Sequence, residues 1–175
     1  NGVIQADVPT PIYGKALPSS TVTFSFAGAE RSITLGAEEP HWETTVPPLP
    51  ASAEPKTLHV TCELDGVLVH ERNVTNLVVG DVWYVALQGS TGGGRGVVGE
   101  PVGNVRMLTP FAKKRTAPMP DRYKLNVSGY PKSRFFARWT VATGFAKELG
   151  RRIHAETGKP VGIVIMNTTR GVPIK

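Results

Sequence analysis

The sequence predicts an α+β chain in two units, a small antiparallel β-sandwich followed by a partial α/β domain with parallel strands. Three observations carry that expectation. The 175 residues include 19 glycines and 15 prolines, a breaker density that suits short strands joined by turns and excludes a helical bundle or coiled coil. Up to about Val79 apolar residues alternate with polar ones, whereas from Gly80 onward they come in near-continuous runs, the pattern of strands buried on both faces. The charge divides at the same place. Residues 1–80 hold four basic and nine acidic side chains, a net of −5, and residues 81–175 hold sixteen and five, a net of +11. The expected domains are therefore 1–79, the sandwich, and 80–175, the α/β part.

In the first unit, Val22, Phe24 and Phe26 alternate with Thr23 and Ser25, the period-two signature of a half-buried strand. Ala27-Gly28-Ala29 interrupts, and Ile33 and Leu35 resume the alternation in a hairpin partner. Trp42 to Val46 gives another short strand, stopped by Pro47-Pro48, which cannot donate to a ladder. Leu58, Val60, Cys62 and Leu64 alternate, and Asp65-Gly66 is a two-residue hairpin signal before Val67 to His70. Leu77-Val78-Val79 closes the series. Cys62 falls on the apolar phase of its strand and reads as a core residue. A single cysteine forms neither an internal disulfide nor a Cys-rich zinc site.

The second unit opens with the run Val82 to Leu87, which ends in Gln88-Gly89-Ser90-Thr91 and a glycine cluster. Phe135, Trp139, Ala142, Phe145, Ala146, Leu149 and Ile153 share one face at helical spacing. Ser133 is the expected N-cap, and Gly158 with Pro160 the stop. Val161 to Met166 is a second buried strand, so strand, crossover helix and strand make a βαβ unit with a parallel pair. Working residues in such sheets sit at the carboxyl ends of the strands. Here those ends are Gly89-Ser90 on one strand, and Asn167 to Gly171 on the other. One helix covers one face of a sheet. The α/β part is thus expected to be completed by further residues of the same polypeptide, by a second chain or by self-association. The chain opens at Asn1 without a basic-then-apolar leader, so either a leader was removed or the chain starts inside a longer polypeptide.

Other classes are not supported. No stretch of roughly 18 uninterrupted apolar residues is present, so no membrane partner is expected. His59 and Cys62, three apart on a strand, point to opposite faces and make a poor metal pair. No metal and no cofactor are expected. Gly94-Arg95-Gly96-Val97-Val98-Gly99 matches a dinucleotide pattern, but Glu100-Pro101 follows where a helix should open. Lys113-Lys114-Arg115, between Pro110 and Pro118, reads as a solvated loop. Nucleic acid is not an expected partner, because no recognition motif accompanies the charge. A polyanion-binding module remains a third reading of the +11 half. Sequons occur at Asn73, Asn126 and Asn167.

Several motifs recur together in a definite order. Val3-Ile4-Gln5 with Pro9-Thr10-Pro11-Ile12-Tyr13-Gly14 comes first, and His41-Trp42 with Val46-Pro47-Pro48-Leu49 follows. Gly80-Asp81-Val82-Trp83 then leads into a strand and a Gly/Ser turn, and Phe145-Ala146-Lys147-Glu148-Leu149, Pro160-Val161-Gly162-Ile163 and Arg170-Gly171-Val172-Pro173-Ile174-Lys175 complete the set. The ordered set covers nearly the whole chain and resembles the N-terminal part of the sialate O-acetylesterase family, SGNH/GDSL-type carbohydrate esterases.

The resemblance implies a flavodoxin-like, three-layer SGNH domain after the sandwich, and hydrolysis of an acetylated carbohydrate by a serine nucleophile. It also implies an extracellular, periplasmic or lysosome-like compartment. Aligned without gaps, the family's nucleophile falls on Gly89, and Ser90 takes that place if the turn holds one extra residue. The amides of Gly171 and Ser90 would form the oxyanion hole, with Gln88, Gly89, Asn167 and Arg170 lining the crevice. The family's Asp and His lie near its C-terminus, in a part expected outside this chain. His41, His59 and His70 belong to the sandwich and His154 to the late helix, so none is a triad partner for Ser90. The alternative is a non-catalytic carbohydrate-binding or structural derivative that has lost the nucleophile.

Overall fold

The computed structural model describes residues 2–88, 103–113, 134–142 and 144–168. They form ten strands and one helix: β1 (Gly2–Gln5), β2 (Thr10–Lys15), β3 (Thr21–Phe26), β4 (Ala29–Thr34), β5 (His41–Val46), β6 (Ser52–Leu64), β7 (Val67–Gln88), β8 (Val105–Lys113), β9 (Arg134–Val141), α1 (Gly144–Thr157) and β10 (Val161–Thr168). By contacts the chain divides into two compact units, Asn1–Val82 with Gly158–Pro160, and Trp83–Thr157 with Val161–Lys175.

The expected α+β class, with a three-layer parallel α/β domain, is overturned. Among the described residues the chain is mostly β. Eight strands follow the mixed order β4-β3-β6-β7-β10-β8-β9 with β1 on β7, and β2 and β5 form a separate antiparallel pair. The second unit holds one helix beside a ladder in which β10 runs parallel to β8 but β9 runs antiparallel to it.

The misreading has a local cause. Residues 134–141, assigned to the helix by their spacing, are strand β9. Phe135, Phe136, Trp139, Thr140 and Val141 are strand-favouring types, and a long antiparallel partner in β8 decides the matter. The helix begins at Gly144, whose φ of 54° breaks the strand, so Ser133, which lies outside the described residues, does not cap it. Phe145, expected on the apolar face, is half exposed. The helix does end where expected, with Gly158 at φ 69° following Thr157.

In the first unit the hairpin chemistry is visible in the dihedrals. Ala27 and Gly28 (φ 51° and 84°) join β3 to β4, and Asp65 and Gly66 (φ 53° and 75°) join β6 to β7. Positive φ at both central residues is the turn that matches strand twist. Strand β7 runs unbroken for 22 residues, where the sequence suggested three separate pieces. A bulge lets it do so. Leu58 pairs with Val74 and Lys56 with Leu77, so Thr75 and Asn76 oppose the single residue Thr57. Asn76 takes the left-handed conformation, φ 55°, that such a bulge needs.

Two clusters fill this unit. Val22, Leu35, Trp42 and Cys62 form one, and Phe24, Phe26, Val46 and Leu77 the other. Trp42 and Val46 come from β5 and the rest chiefly from the larger ladder, so the clusters pin the two ladders together. Phe24 is completely buried. Phe24→Ala should therefore cost about 3–5 kcal/mol through lost transfer energy and the cavity left behind. Urea unfolding should show a lower midpoint at unchanged slope.

In the second unit α1 lies on one face of the ladder. Ala142, Ala146, Val105, Val161, Ile163 and Ile165 form the buried cluster there, with Val85, Met107, Leu149 and Ile153 packed around it. Gly150 permits the close approach, since a Cβ at this position would collide with Val105 Cγ1. The expectation that Val82 to Leu87 is buried on both faces fails at its centre, where Trp83 and Tyr84 are 48% and 75% exposed. Val85 packs into the cluster beneath α1, and Tyr84 alternates to the other face, which the helix does not cover.

Candidate functional site

Strand β10 is the element around which the candidate site is built. Val161 through Ile165 are all buried, because the strand lies between β7 and β8 in hydrogen-bonded order. Its register on β8 runs from Val161↔Val105 to Val164↔Leu108 in the parallel sense. The carboxyl ends of β10 and β8, Thr168 and Lys113, therefore lie at the same edge of the ladder. Strand β9 enters at this edge too, since Arg134 is the register partner of Lys113.

The edge thus carries Asn167, the second-to-last residue of β10, which the resemblance would put in a substrate crevice. Gln88, the last residue of β7, ends a strand adjacent to β10. Gly89, Ser90, Arg170 and Gly171 fall outside the described residues. So the nucleophile and oxyanion-hole assignments remain expectations from the resemblance.

Two residues of this edge escape the sequence reading. Lys113, expected in a solvated loop, closes strand β8, and Arg134 opens β9 as its register partner. The available signal is the alternation of Arg138-Trp139-Thr140-Val141 and the strand-favouring Phe135-Phe136 before it. Helical spacing through Phe145 and Leu149 obscured it.

The electrostatics of the unit are uneven. Its described carboxylates, Glu148 and Glu156, are both on α1. Hydrogen bonds from Arg151 and then Arg152 hold the Glu148 carboxyl down at about 2. Their donors, Arg151 Nη2 and Arg152 Nε, lie 2.8 and 3.0 Å from Glu148 Oε1. Partial burial lowers the Arg106 guanidinium from its ordinary value. In the other unit His59 Nε2 lies 2.9 Å from Glu71 Oε1 across the β6–β7 ladder, a surface pair remote in sequence from any strand end named above. His41 Nδ1 sits 3.3 Å from Glu39 Oε1. Among the described residues no three His, Cys, Asp or Glu side chains assemble into a metal-binding group.

The backbone before the edge is tightly set. Gly80, in β7, would place a Cβ against the Pro160 carbonyl oxygen and 2.6 Å from its carbon. The Asp81 amide donates to Pro160 O at 2.9 Å, and the Ala6 amide donates to Gly80 O at 2.8 Å. Lys159 Nζ reaches Asp81 Oδ1 at 3.5 Å and Asp7 Oδ2 at 3.8 Å. The Gln5 side-chain oxygen accepts from the Val82 amide at 2.8 Å. These contacts fix the first residues of the Gly80-Asp81-Val82-Trp83 motif and the approach to β10 together.

No family model matches the chain, and no curated protein matches it. Among solved structures it is similar to a carbohydrate acetylesterase from Xanthomonas citri, with a TM-score of 0.63 and 23% identity. The likeness covers 95% of this chain and 38% of that one. The chain therefore shares the fold of part of a carbohydrate esterase, and it spans well under half the length of that protein.

Proposed function

We propose that this chain is the front part of a carbohydrate O-acetylesterase of the sialate O-acetylesterase type, acting on an acetylated carbohydrate. The observation that supports this reading most is a fold likeness to a carbohydrate acetylesterase that runs through nearly the whole chain. The ordered motifs from Val3-Ile4-Gln5 to Gly171 point the same way.

In this reading the Ser90 hydroxyl attacks the acetyl carbonyl while a base takes its proton, since an unaided serine hydroxyl is a weak nucleophile. The backbone amides of Ser90 and Gly171 donate to the oxyanion that develops. The sugar oxygen leaves with a proton, and water then releases acetate from the acetylated serine. Acid and base come from an Asp and a His in the remainder of the hydrolase domain, carried by the same polypeptide or by a second chain. The compartment is extracellular, periplasmic or lysosome-like. The ungapped placement of the nucleophile on Gly89 favours a second reading, a carbohydrate-binding derivative without hydrolysis.

The test is acetate release, followed by proton NMR, when the natural polypeptide containing these residues is given O-acetylated sugars and a small aryl acetate. Release from the sugars supports the esterase. A folded protein that binds the sugars and releases no acetate supports the second reading instead.

A further inference from the structure

Asn73-Val74-Thr75 is an N-glycosylation sequon that the proposed function does not use. Val74 packs against the cluster of Phe24, Phe26, Val46 and Leu77, so Asn73, its neighbour on an alternating strand, faces away from the core. Its register partner is His59, and Asn73 itself is exposed. The bulge follows at once, with Thr75 and Asn76 both exposed and Asn76 at φ 55°. The strand is also open beside the sequon. Strand β6 pairs with β7 on one side. Among the described residues β1 takes the other side only from Leu77 to Gly80, and Pro160, just ahead of β10, meets β7 at Asp81. Residues 67–74 are therefore an edge, and its start is apolar. Val67, Leu68 and Val69 are 63%, 53% and 43% exposed. Apolar edges of this kind pair readily with other chains, and proteins protect them by covering or charging them.

We propose that Asn73 is a modification site, carrying an N-linked oligosaccharide on the outer face of β7. The proposal rests on the extracellular, periplasmic or lysosome-like compartment proposed for this chain and adds a covalent modification to it. The donor is a lipid-linked oligosaccharyl pyrophosphate, used by a membrane oligosaccharyltransferase. The Asn73 carboxamide nitrogen attacks the anomeric carbon of the donor's first sugar. A carbon–nitrogen bond forms there, the bond from that carbon to the pyrophosphate oxygen breaks, the nitrogen gives up one proton and the lipid pyrophosphate leaves. Thr75 supplies the hydroxyl that the sequon requires two residues on. The attached chain points to solvent, where no core side chain has to move. It also stands beside the open edge, since Leu68 lies roughly 16 Å back along the strand. A bulky, solubilising chain there keeps Val67 to Val69 from pairing with another molecule. Asn126 lies outside the described residues, and Asn167 is on β10 between β7 and β8. Asn73 is thus the sequon that the structure sets on an exposed edge.

The experiment is peptide mapping by mass spectrometry of the natural polypeptide, purified from its own host and from a glycosylating secretory host, with acetate release measured alongside. The peptide containing Asn73 should carry an oligosaccharide in both preparations. Asn73→Gln and Thr75→Ala should each lose that glycan completely, whereas Thr75→Ser should keep it. Retention of the full glycan complement by Asn73→Gln would overturn the proposal. A bare Asn73 in protein recovered from outside the cytosol would overturn the site and leave the compartment in place. A bare Asn73 in protein that never leaves the cytosol would overturn both. A glycosylated Asn73 on a protein that releases no acetate would support the site while removing the esterase reading.

Discussion

Gly80→Ala is expected to destabilise the protein by about 3 kcal/mol or more, lowering the melting temperature by roughly 6–12 °C for a chain of this size. The cause is backbone against backbone. The new methyl would meet the Pro160 carbonyl oxygen, with the carbonyl carbon at 2.6 Å and Pro160 Cβ at 2.8 Å. A flexible side chain would move aside, but here both segments are tied. Pro160 O accepts from the Asp81 amide and Gly80 O accepts from the Ala6 amide. Separating them sacrifices at least one of these bonds, each worth about 1 kcal/mol net, beyond the usual overpacking penalty of about 1–3 kcal/mol. Gly36→Ala is the control. It is exposed, and its Cβ would find nothing nearer than Glu39 Cβ at 3.9 Å, so a change within about 0.5 kcal/mol is expected. Thermal melts of the two variants decide the matter, and equal melting temperatures would show that β7 does not approach Pro160 this closely.

Legibility followed how local the deciding interaction is. The β3–β4 and β6–β7 hairpins were readable because Ala27-Gly28 and Asp65-Gly66 carry their turn chemistry within two residues. Cys62 was placed in the core by alternation alone, and it is buried. The continuity of β7 was not readable, since it depends on a bulge at Thr75–Asn76 that exists only against β6. Residues 134–141 satisfied helical spacing and strand propensity at once. Only their long pairing with β8, some twenty residues away in sequence, selects the strand.

The same dependence governs the candidate site. Asn167 could be placed at a strand end from the run Val161 to Met166, because a near-continuous apolar run announces a buried strand without knowledge of its neighbours. The pairing of residue 113 with residue 134 is not legible until β9 is known to be a strand, because only the register of β8 on β9 brings them together. A charge count over 81–175 gave the excess but no position for it.

Ser90→Ala is the substitution with the largest expected effect on activity under the proposed reading. In the natural polypeptide it should lower kcat for a small acetyl ester on the order of 10⁴–10⁶-fold, the range seen when a serine nucleophile acting as part of a triad is removed. Gln88 ends β7 next to β10. The resemblance places the nucleophile in the turn that follows this strand, and Ser90 is the first hydroxyl after its end. The loss should fall on kcat with KM little changed, because the hydroxyl contributes to the transition state and not to uniform binding. Circular dichroism and the melting curve should match the parent. A Gly89→Ser variant supplies the opposite arm. If the gapped placement is right, serine at 89 does not rescue the Ser90→Ala protein, since its hydroxyl then sits one residue off the oxyanion donors. Unchanged hydrolysis in Ser90→Ala would remove Ser90 from the mechanism. Rescue by Gly89→Ser would instead place the family's nucleophile position on residue 89, and would make the glycine found there the reason for a derivative that binds carbohydrate without cleaving it.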